Sequence, residues 1–439
     1  MHAERRENRQ PLIRLRQRKN IEKLINVGLR GVTLASKFLL VLFLAKFLEP
    51  AELGLYGLIV ASVGYALYLV GLDFYTYTTR EIIKRNSDDW GDIIKSQVVL
   101  SFCLYVVFVP VISVVFWKGV LPVSLMYWFF SLLVLEHLAQ ELNRVLVALS
   151  AQLVASLVLF LRSGLWAIIA VGLMFFDIKK QNLDFVLLCW VTGGICACTV
   201  SLVYLAQKKS RGWSRAVDWR WIKVGVYTAI PFLVSTLATR GIFTLDRYWL
   251  EHLTSLEVVG AYVLFMSVSN ALVSFLDAGV FVYSYPALIV AHNSGQFDIY
   301  RYHMRKLAIQ CLAISISFGV FAVCLMPFVL SALDKGIYIE QSWMFAWIML
   351  ATVIFSLGMI PQFGLYAQGK DKHIIVSHIA GFSVFVLVVA AFSKDSASAS
   401  VLAGLVVGFG VSTVWKAIAF HLLSPSVYLF YKRQVCEEL

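Results

Sequence analysis

Charged side chains are scarce in this sequence: Asp, Glu, Lys and Arg make up 15% of its 439 residues. Soluble domains carry about 25%. With 60% hydrophobic residues and a mean hydropathy of +0.78, the chain cannot cover a water-facing surface and needs lipid as its solvent. Acidic groups are the scarcer sign, 26 against 38 basic ones, for a net charge of +12. Of seven cysteines, six (Cys103, Cys189, Cys196, Cys198, Cys311 and Cys324) lie inside apolar runs. Cys196-Ala-Cys198 is not CxxC and no His-rich partner lies nearby, so neither a disulfide framework nor a metal site is expected. The sequence has no nucleophile constellation, Walker motif, HExxH or EF-hand loop. It cannot hydrolyse ATP by itself, and no cofactor is implied. Uphill work would draw on a proton or sodium gradient, or on coupling to downstream steps.

What is present is a series of long apolar runs. A membrane-spanning helix needs about 20 such residues. That ruler predicts twelve spans: 24–48, 53–79, 97–117, 123–146, 152–176, 185–206, 222–249, 257–286, 307–331, 343–366, 373–393 and 399–423. Runs this long exclude barrel strands. The basic residues before the first run (Arg5, Arg6, Arg9, Arg14, Arg16, Arg18, Lys19 and Lys23) invite a signal-peptide reading. The run is too long for one, and no small-x-small cleavage pattern follows it. It reads as a retained span behind a basic cytoplasmic arm that can meet anionic head groups, and that is too short for a nucleic-acid domain.

The basic residues are distributed by side. With the N-terminus inside, inward segments carry 25 Lys and Arg and outward loops carry 6. The positive-inside rule then predicts both termini in the cytoplasm and an even number of spans. The outward loops are short, which leaves no room for an extracytoplasmic domain. The longest internal polar stretch, Gln207–Arg220, reads as a cytoplasmic linker between halves. Those halves resemble each other. Arg30-Gly31 and Lys37 match Arg240-Gly241 and Arg247, with the same seven-residue step. Glu52-Leu-Gly54-Leu-Tyr56 matches Glu257-Val-Val-Gly260-Ala-Tyr262. Six spans separate the members of each pair, so the repeat is parallel. The expected fold class is an all-α membrane protein of about 12 helices in two six-helix lobes around a central cavity. Its expected segments are an arm at 1–23, lobes at 24–206 and 222–424, a linker at 207–221 and a tail at 425–439.

Charges within spans mark candidate sites, because a basic residue at the bilayer centre costs on the order of 3 kcal/mol on insertion scales. Asn26, Arg30, Thr33 and Lys37 fall within about 60° of one another on a helical wheel. Thr236, Arg240 and Arg247 fall within about 40° on the seventh span. Arg30, Lys37, Arg240 and Arg247, together with Arg80, Arg162 and Lys416, are the candidate cations for an anionic substrate. Snorkelling to the head groups is the competing reading, weightiest for Arg30 and Arg247 near span ends. The candidate ion-coupling groups are acidic or titratable. Asp73 would share a face with Tyr77 and Arg80; Glu136, His137 and Glu141 crowd the fourth span; Asp246 adjoins Arg247; Asp277 would share a face with Asn270 and Ser274. A structural hydrogen-bonded cluster competes with a proton site in the fourth span.

Several of these features together resemble a known family. They are the basic first span, Lys46-x-Leu48, Glu52-Leu-Gly54-Leu-Tyr56, Gly71-Leu72, Arg80-Glu81, Pro231, Asp246-Arg247, Gly260-x-Tyr262 and Pro286. The chain is similar over essentially its whole length to the polysaccharide-exporter flippases, the O-antigen and capsule branch of the multidrug/oligosaccharidyl-lipid/polysaccharide exporter superfamily. The motifs are loose. The resemblance implies a V-shaped pair of lobes and movement of undecaprenyl-diphosphate-linked oligosaccharide from the cytoplasmic to the periplasmic leaflet of the inner membrane. The implied partners are that substrate, membrane lipids and a downstream glycan polymerase or chain-length machinery. The basic stripes agree with a diphosphate substrate. Two alternatives stand beside this reading. One is a drug or organic-cation antiporter of the same superfamily, which would favour an acidic cavity. The other is a membrane-embedded glycan polymerase or ligase, which would need a sizeable outward loop. Precursor flippases of fourteen spans are also similar, but this chain has about twelve.

Overall fold

The computed structural model describes residues 10–84, 90–208, 210–394 and 396–425. The first nine residues of the expected arm and the tail from 426, with Lys432 and Arg433, lie outside the described residues. Among the described residues, twelve helices are long and apolar enough to cross a membrane. They are Leu24–Phe47, Pro50–Gly71, Gly91–Trp117, Val123–Ala148, Gln152–Phe176, Leu183–Gln207, Trp219–Leu253, Leu256–Asn293, Phe297–Leu333, Trp343–Ala367, Asp371–Phe392 and Ala397–Leu423, called here the first to twelfth spans. Exposed Val, Leu, Ile and Phe are spread along them, as lipid-facing surfaces require.

The sequence reading and the structure part at identifiable places. The first helix begins at Gln10 and runs unbroken to Phe47, so most of the expected arm continues the first span. The second span stops at Gly71 instead of continuing to 79. Leu72 and Asp73 turn through the left-handed region with φ of 51° and 50°, and a separate helix follows at Tyr75–Lys84. The Asp73 carbonyl accepts hydrogen bonds from both the Thr76 amide and the Thr76 hydroxyl, which opens the new helix. Hydropathy cannot register this break, because Leu72 and Phe74 keep the run apolar. The expectation that Asp73, Tyr77 and Arg80 share a helical face is therefore wrong: Asp73 sits in the turn, not on the helix. Two further spans widen locally into π-helical turns, Leu161–Leu165 in the fifth and Asp277–Phe281 in the eighth. Each contains a candidate residue, and such turns concentrate at functional sites.

The chain divides into two compact units. The first comprises 1–47 and 66–230, the second 48–65 and 231–439. The second and seventh spans are thus each divided between units, whereas the expected lobes kept every span whole. In the first unit the first span packs on the fifth, and the fourth on the sixth. Ala139, Leu142 and Leu146 there meet Ala155, Val158, Ala197 and Cys198 in a buried cluster. In the second unit the twelfth span packs closely on the tenth and eleventh. Lipid offers helices no hydrophobic drive to associate, so small residues that let backbones approach do the work. A Cβ on Gly54 would lie 2.2 Å from the Leu256 carbonyl oxygen, and one on Gly260 would lie 2.1 Å from that of Pro50. Only glycine fits at either position.

Candidate functional site

The first unit holds its ionisable groups in a network centred on the fourth span. Glu136 and His137 are buried. The Glu136 carboxylate is shared between two helices: Trp190 Nε1 of the sixth span donates to Oε1 at 2.7 Å, and Arg162 Nε of the fifth donates to Oε2 at 2.6 Å. A second guanidinium nitrogen of Arg162 lies 2.5 Å from the same Oε2 and donates to Gln140 Oε1 at 3.2 Å. Arg162 stands in the π-helical turn, whose carbonyl there accepts from Trp166 Nε1 at 2.8 Å. Trp166 in turn stacks on Trp190 at 5.9 Å between ring centres.

One helical turn further on, Glu141 forms an ion pair with Arg144 and accepts from Gln97 Nε2 at 2.6 Å. The Arg144 guanidinium lies 3.4 Å from the centre of the Tyr75 ring. His137 Nδ1 shares a hydrogen bond of 3.1 Å with the Tyr105 hydroxyl. Its Nε2 is buried with no hydrogen-bond partner among the described residues, facing the backbone of Gly71, where a Cβ would lie 3.3 Å away. Glu136, His137 and Glu141 are therefore neighbours, but both carboxylates are already committed to arginines.

The first-span stripe is mixed: Thr33 is buried and Asn26 half-buried. Arg30 is exposed and donates to Ser156 Oγ at 3.2 Å, and Ser156 in turn bonds Asn26. Lys37 is exposed too. Among the described residues no hydrogen bond or ion pair holds its ammonium, although the charges of Arg162 and Glu136 both act on it. Arg80 is exposed on the helix after the break. Asp73 is buried.

In the second unit Arg240 and Asp277 are both exposed and close enough for their charges to interact, so a cation and an anion expected in different roles stand together. Arg247 does not repeat the posture of Lys37. It is half-buried and folds back to donate to the Phe243 carbonyl at 2.6 Å, four residues earlier on its own helix. Asp246 is fully buried; it accepts from the Tyr262 hydroxyl at 2.5 Å and from the Arg247 amide at 2.6 Å. Lys416 is 2% exposed and donates to Gln362 Oε1 at 3.0 Å. His378 Nε2 lies 3.3 Å from that same oxygen, and its Nδ1 lies 2.8 Å from Ser235 Oγ.

Sequence reasoning missed Trp190, Gln97 and Tyr105, whose polar tips reach the fourth span, and the pair Gln362 and His378. His378 carried a usable signal, being an ionisable residue in the middle of an apolar run. The others are ordinary span residues until packing brings them onto a charge. Just outside the spans, Lys335 donates to the Leu48 carbonyl, and burial holds its ammonium below the usual lysine range. No group of three or more metal-ligating side chains occurs among the described residues.

The sequence matches no protein-family model and no curated protein. The fold matches solved structures. One is an inward-facing multidrug resistance MATE family transporter of the MOP superfamily, with a TM-score of 0.71, 13% identity, and 91% of this chain and 98% of that one covered. A second is the MATE multidrug transporter DinF-BH in complex with R6G, with a TM-score of 0.62, 13% identity and 93% and 95% covered. A third is a MOP superfamily transporter from Pyrococcus furiosus, described by the reverse polarity of its binding pocket, with a TM-score of 0.57, 13% identity and 92% and 95% covered. The chain thus has the twelve-helix, two-lobed fold of MOP superfamily transporters.

Proposed function

We propose that the chain is a multi-pass transporter, not an enzyme, and that it moves a lipid-linked oligosaccharide carried on a diphosphate across the inner membrane. One observation carries the substrate reading. The carboxylates Glu136, Glu141 and Asp246 are all occupied by internal partners, while Lys37 is an exposed mid-span residue whose ammonium no carboxylate neutralises by contact. An anionic group is the substrate chemistry that such a site stabilises. Within the first unit Arg30 would flank it in the same role and Arg80 would lie at its approach; Arg240 would be a separate candidate cation of the second unit. Arg162, held by Glu136, would act by positioning, whereas Arg247 and Lys416 hold internal contacts of the second unit.

A second reading, the drug or organic-cation antiporter, also has a specific observation behind it. The solved neighbours include multidrug transporters, and they back this alternative better than they back the flippase. Asp277 is the accessible carboxylate it would use. The two readings separate in reconstituted vesicles. The flippase reading expects movement of a fluorescent lipid-diphosphate-linked oligosaccharide that falls at least tenfold in Lys37→Ala, with no uptake of a cationic dye. Dye transport that is lost in Asp277→Asn, with no lipid movement, would reverse the choice. The glycan polymerase or ligase alternative is set aside, since the neighbours are transporters.

The charge asymmetry of the loops supports cytoplasmic termini and a cytoplasmic 207–221 linker. A reporter fused in that linker and active only outside the cytoplasm would overturn this orientation. Any downstream glycan polymerase would act on the translocated product.

A further inference from the structure

We propose that the polar pocket around Lys416, inside the second unit, binds a small monovalent anion of halide size. Four spans build it. Lys416 and Ser412 come from the twelfth, His378 from the eleventh, Phe355 and Gln362 from the tenth, and Thr239 and Ser235 from the seventh.

The argument begins with a charge that has no counter-charge. The Lys416 side chain is almost wholly enclosed. Its ammonium has three donors and one acceptor, Gln362 Oε1 at 3.0 Å. The groups that face it are otherwise neutral. His378 is the titratable neighbour, and no carboxylate lines the pocket or pairs with the lysine among the described residues. The same contacts bear on His378. Gln362 Oε1 must accept from the lysine, so the His378 nitrogen 3.3 Å from that oxygen carries a proton, and the other ring nitrogen shares a hydrogen bond of 2.8 Å with Ser235 Oγ. An imidazole carries no negative charge in either protonation state, so His378 cannot serve as counter-ion.

An ammonium enclosed without an anion carries a desolvation cost that fixed dipoles offset only in part. Beside it is a cavity of about 10 Å³ lined by Thr239, Ile242, Phe355, His378, Phe409, Ser412 and Lys416, room for a single solvent-sized occupant. The lining offers hydroxyls, one ammonium and aromatic walls, a chemistry that suits an anion and repels a cation. The volume excludes a phosphate ester, so the pocket is separate from the substrate site proposed above and does not depend on that reading.

The test uses the purified full-length chain in nanodiscs, with chloride or bromide replacing gluconate at constant ionic strength and pH. Saturating halide should raise the unfolding temperature by about 1–2 °C, from mass-action stabilisation of a chain this long. Lys416→Met should abolish the halide response, whereas Lys416→Arg should retain it. Bromide anomalous scattering in the second unit gives a readout that needs no variant. An unfolding temperature indifferent to halide in the unmodified protein would overturn the proposal, even if Lys416→Met fails to fold. So would an unchanged halide response in Lys416→Met.

Discussion

Replacing Glu136 by glutamine isolates the strongest electrostatic contact in the first unit. The carboxylate and the Arg162 guanidinium have side-chain exposures of only 9% and 14%, so water screens them little. Removing one partner of such a pair leaves an uncompensated buried charge, at about 3–5 kcal/mol. Glutamine keeps one carbonyl oxygen, which can accept from Trp190 Nε1 or from Arg162 at their present positions but not from both, so the expected loss stays within that range. Lys37 aggravates the loss, since Glu136 is the negative charge that acts on it. The assay is a double-mutant cycle of Glu136→Gln, Arg162→Gln and both together, read by reversible unfolding in a lipid-like environment. Interhelical hydrogen bonds in membranes average about 0.6 kcal/mol in such cycles. An ion pair held by two guanidinium nitrogens should exceed about 1.5 kcal/mol of coupling. Coupling at or below the hydrogen-bond average would show that the pair is held by packing and adds nothing of its own.

Three further outcomes follow from other contacts. Gly54→Ala should cost about 1–3 kcal/mol, because its methyl would meet a backbone oxygen that cannot rotate away; unchanged unfolding in that variant would refute the close approach. For Lys335, burial depresses the folded-state value, so the unfolded chain binds the proton more tightly. Stability contributed by this group therefore rises with pH between the depressed folded value and the unfolded value of about 10.4. Lys335→Met should flatten that alkaline rise, and an identical pH curve would count against the burial. Ion coupling, if it runs through the fourth span, requires Glu141, with His137 beside it. Glu141→Gln should then change the pH profile of transport, and an unaltered profile with lowered stability would assign Glu141 to holding Arg144 and Gln97.

The twelve spans were legible because length and hydropathy are what a bilayer selects, although the second, third, eighth and ninth each miss one boundary, the second ending at Gly71, the third starting at Gly91, the eighth ending at Asn293 and the ninth starting at Phe297. The break at Leu72–Asp73 was not legible, since a turn inside protein can be built from apolar residues and leaves the hydropathy run intact. The two π-helical turns left no compositional trace for the same reason. Among site residues, the fourth-span cluster could be found by its density of ionisable groups. Its partners could not, because Trp190 and Gln97 acquire a role only when the sixth and third spans bring them onto a carboxylate. Of the matched stripe residues Lys37 is exposed, whereas Arg247 turns back onto the Phe243 carbonyl. A long side chain on a helix can satisfy itself on a carbonyl one turn back, and the angle of its Cβ does not reveal that choice.

The repeat read from the sequence has a structural counterpart in the contact between the second and eighth spans. Gly54 and Gly260 occupy equivalent places in the two matched motifs. The hypothetical methyl on Gly54 meets the carbonyl of Leu256, four residues before Gly260. The one on Gly260 meets the carbonyl of Pro50, four residues before Gly54. Residue for residue the contact is self-complementary, the signature of an isologous interface between two copies of one element. Unrelated helices that cross at a glycine have no reason to exchange the same pair of positions in both directions. Matched dipeptides in a sequence of 439 residues can arise by chance, and so can a glycine contact. That the same motif supplies both sides of the contact, at the same four-residue offset, is what duplication of an ancestral six-span unit would leave behind. Its physical basis is simple. In lipid, close backbone approach is the cheapest way to hold two helices together, and a glycine on each helix permits it here.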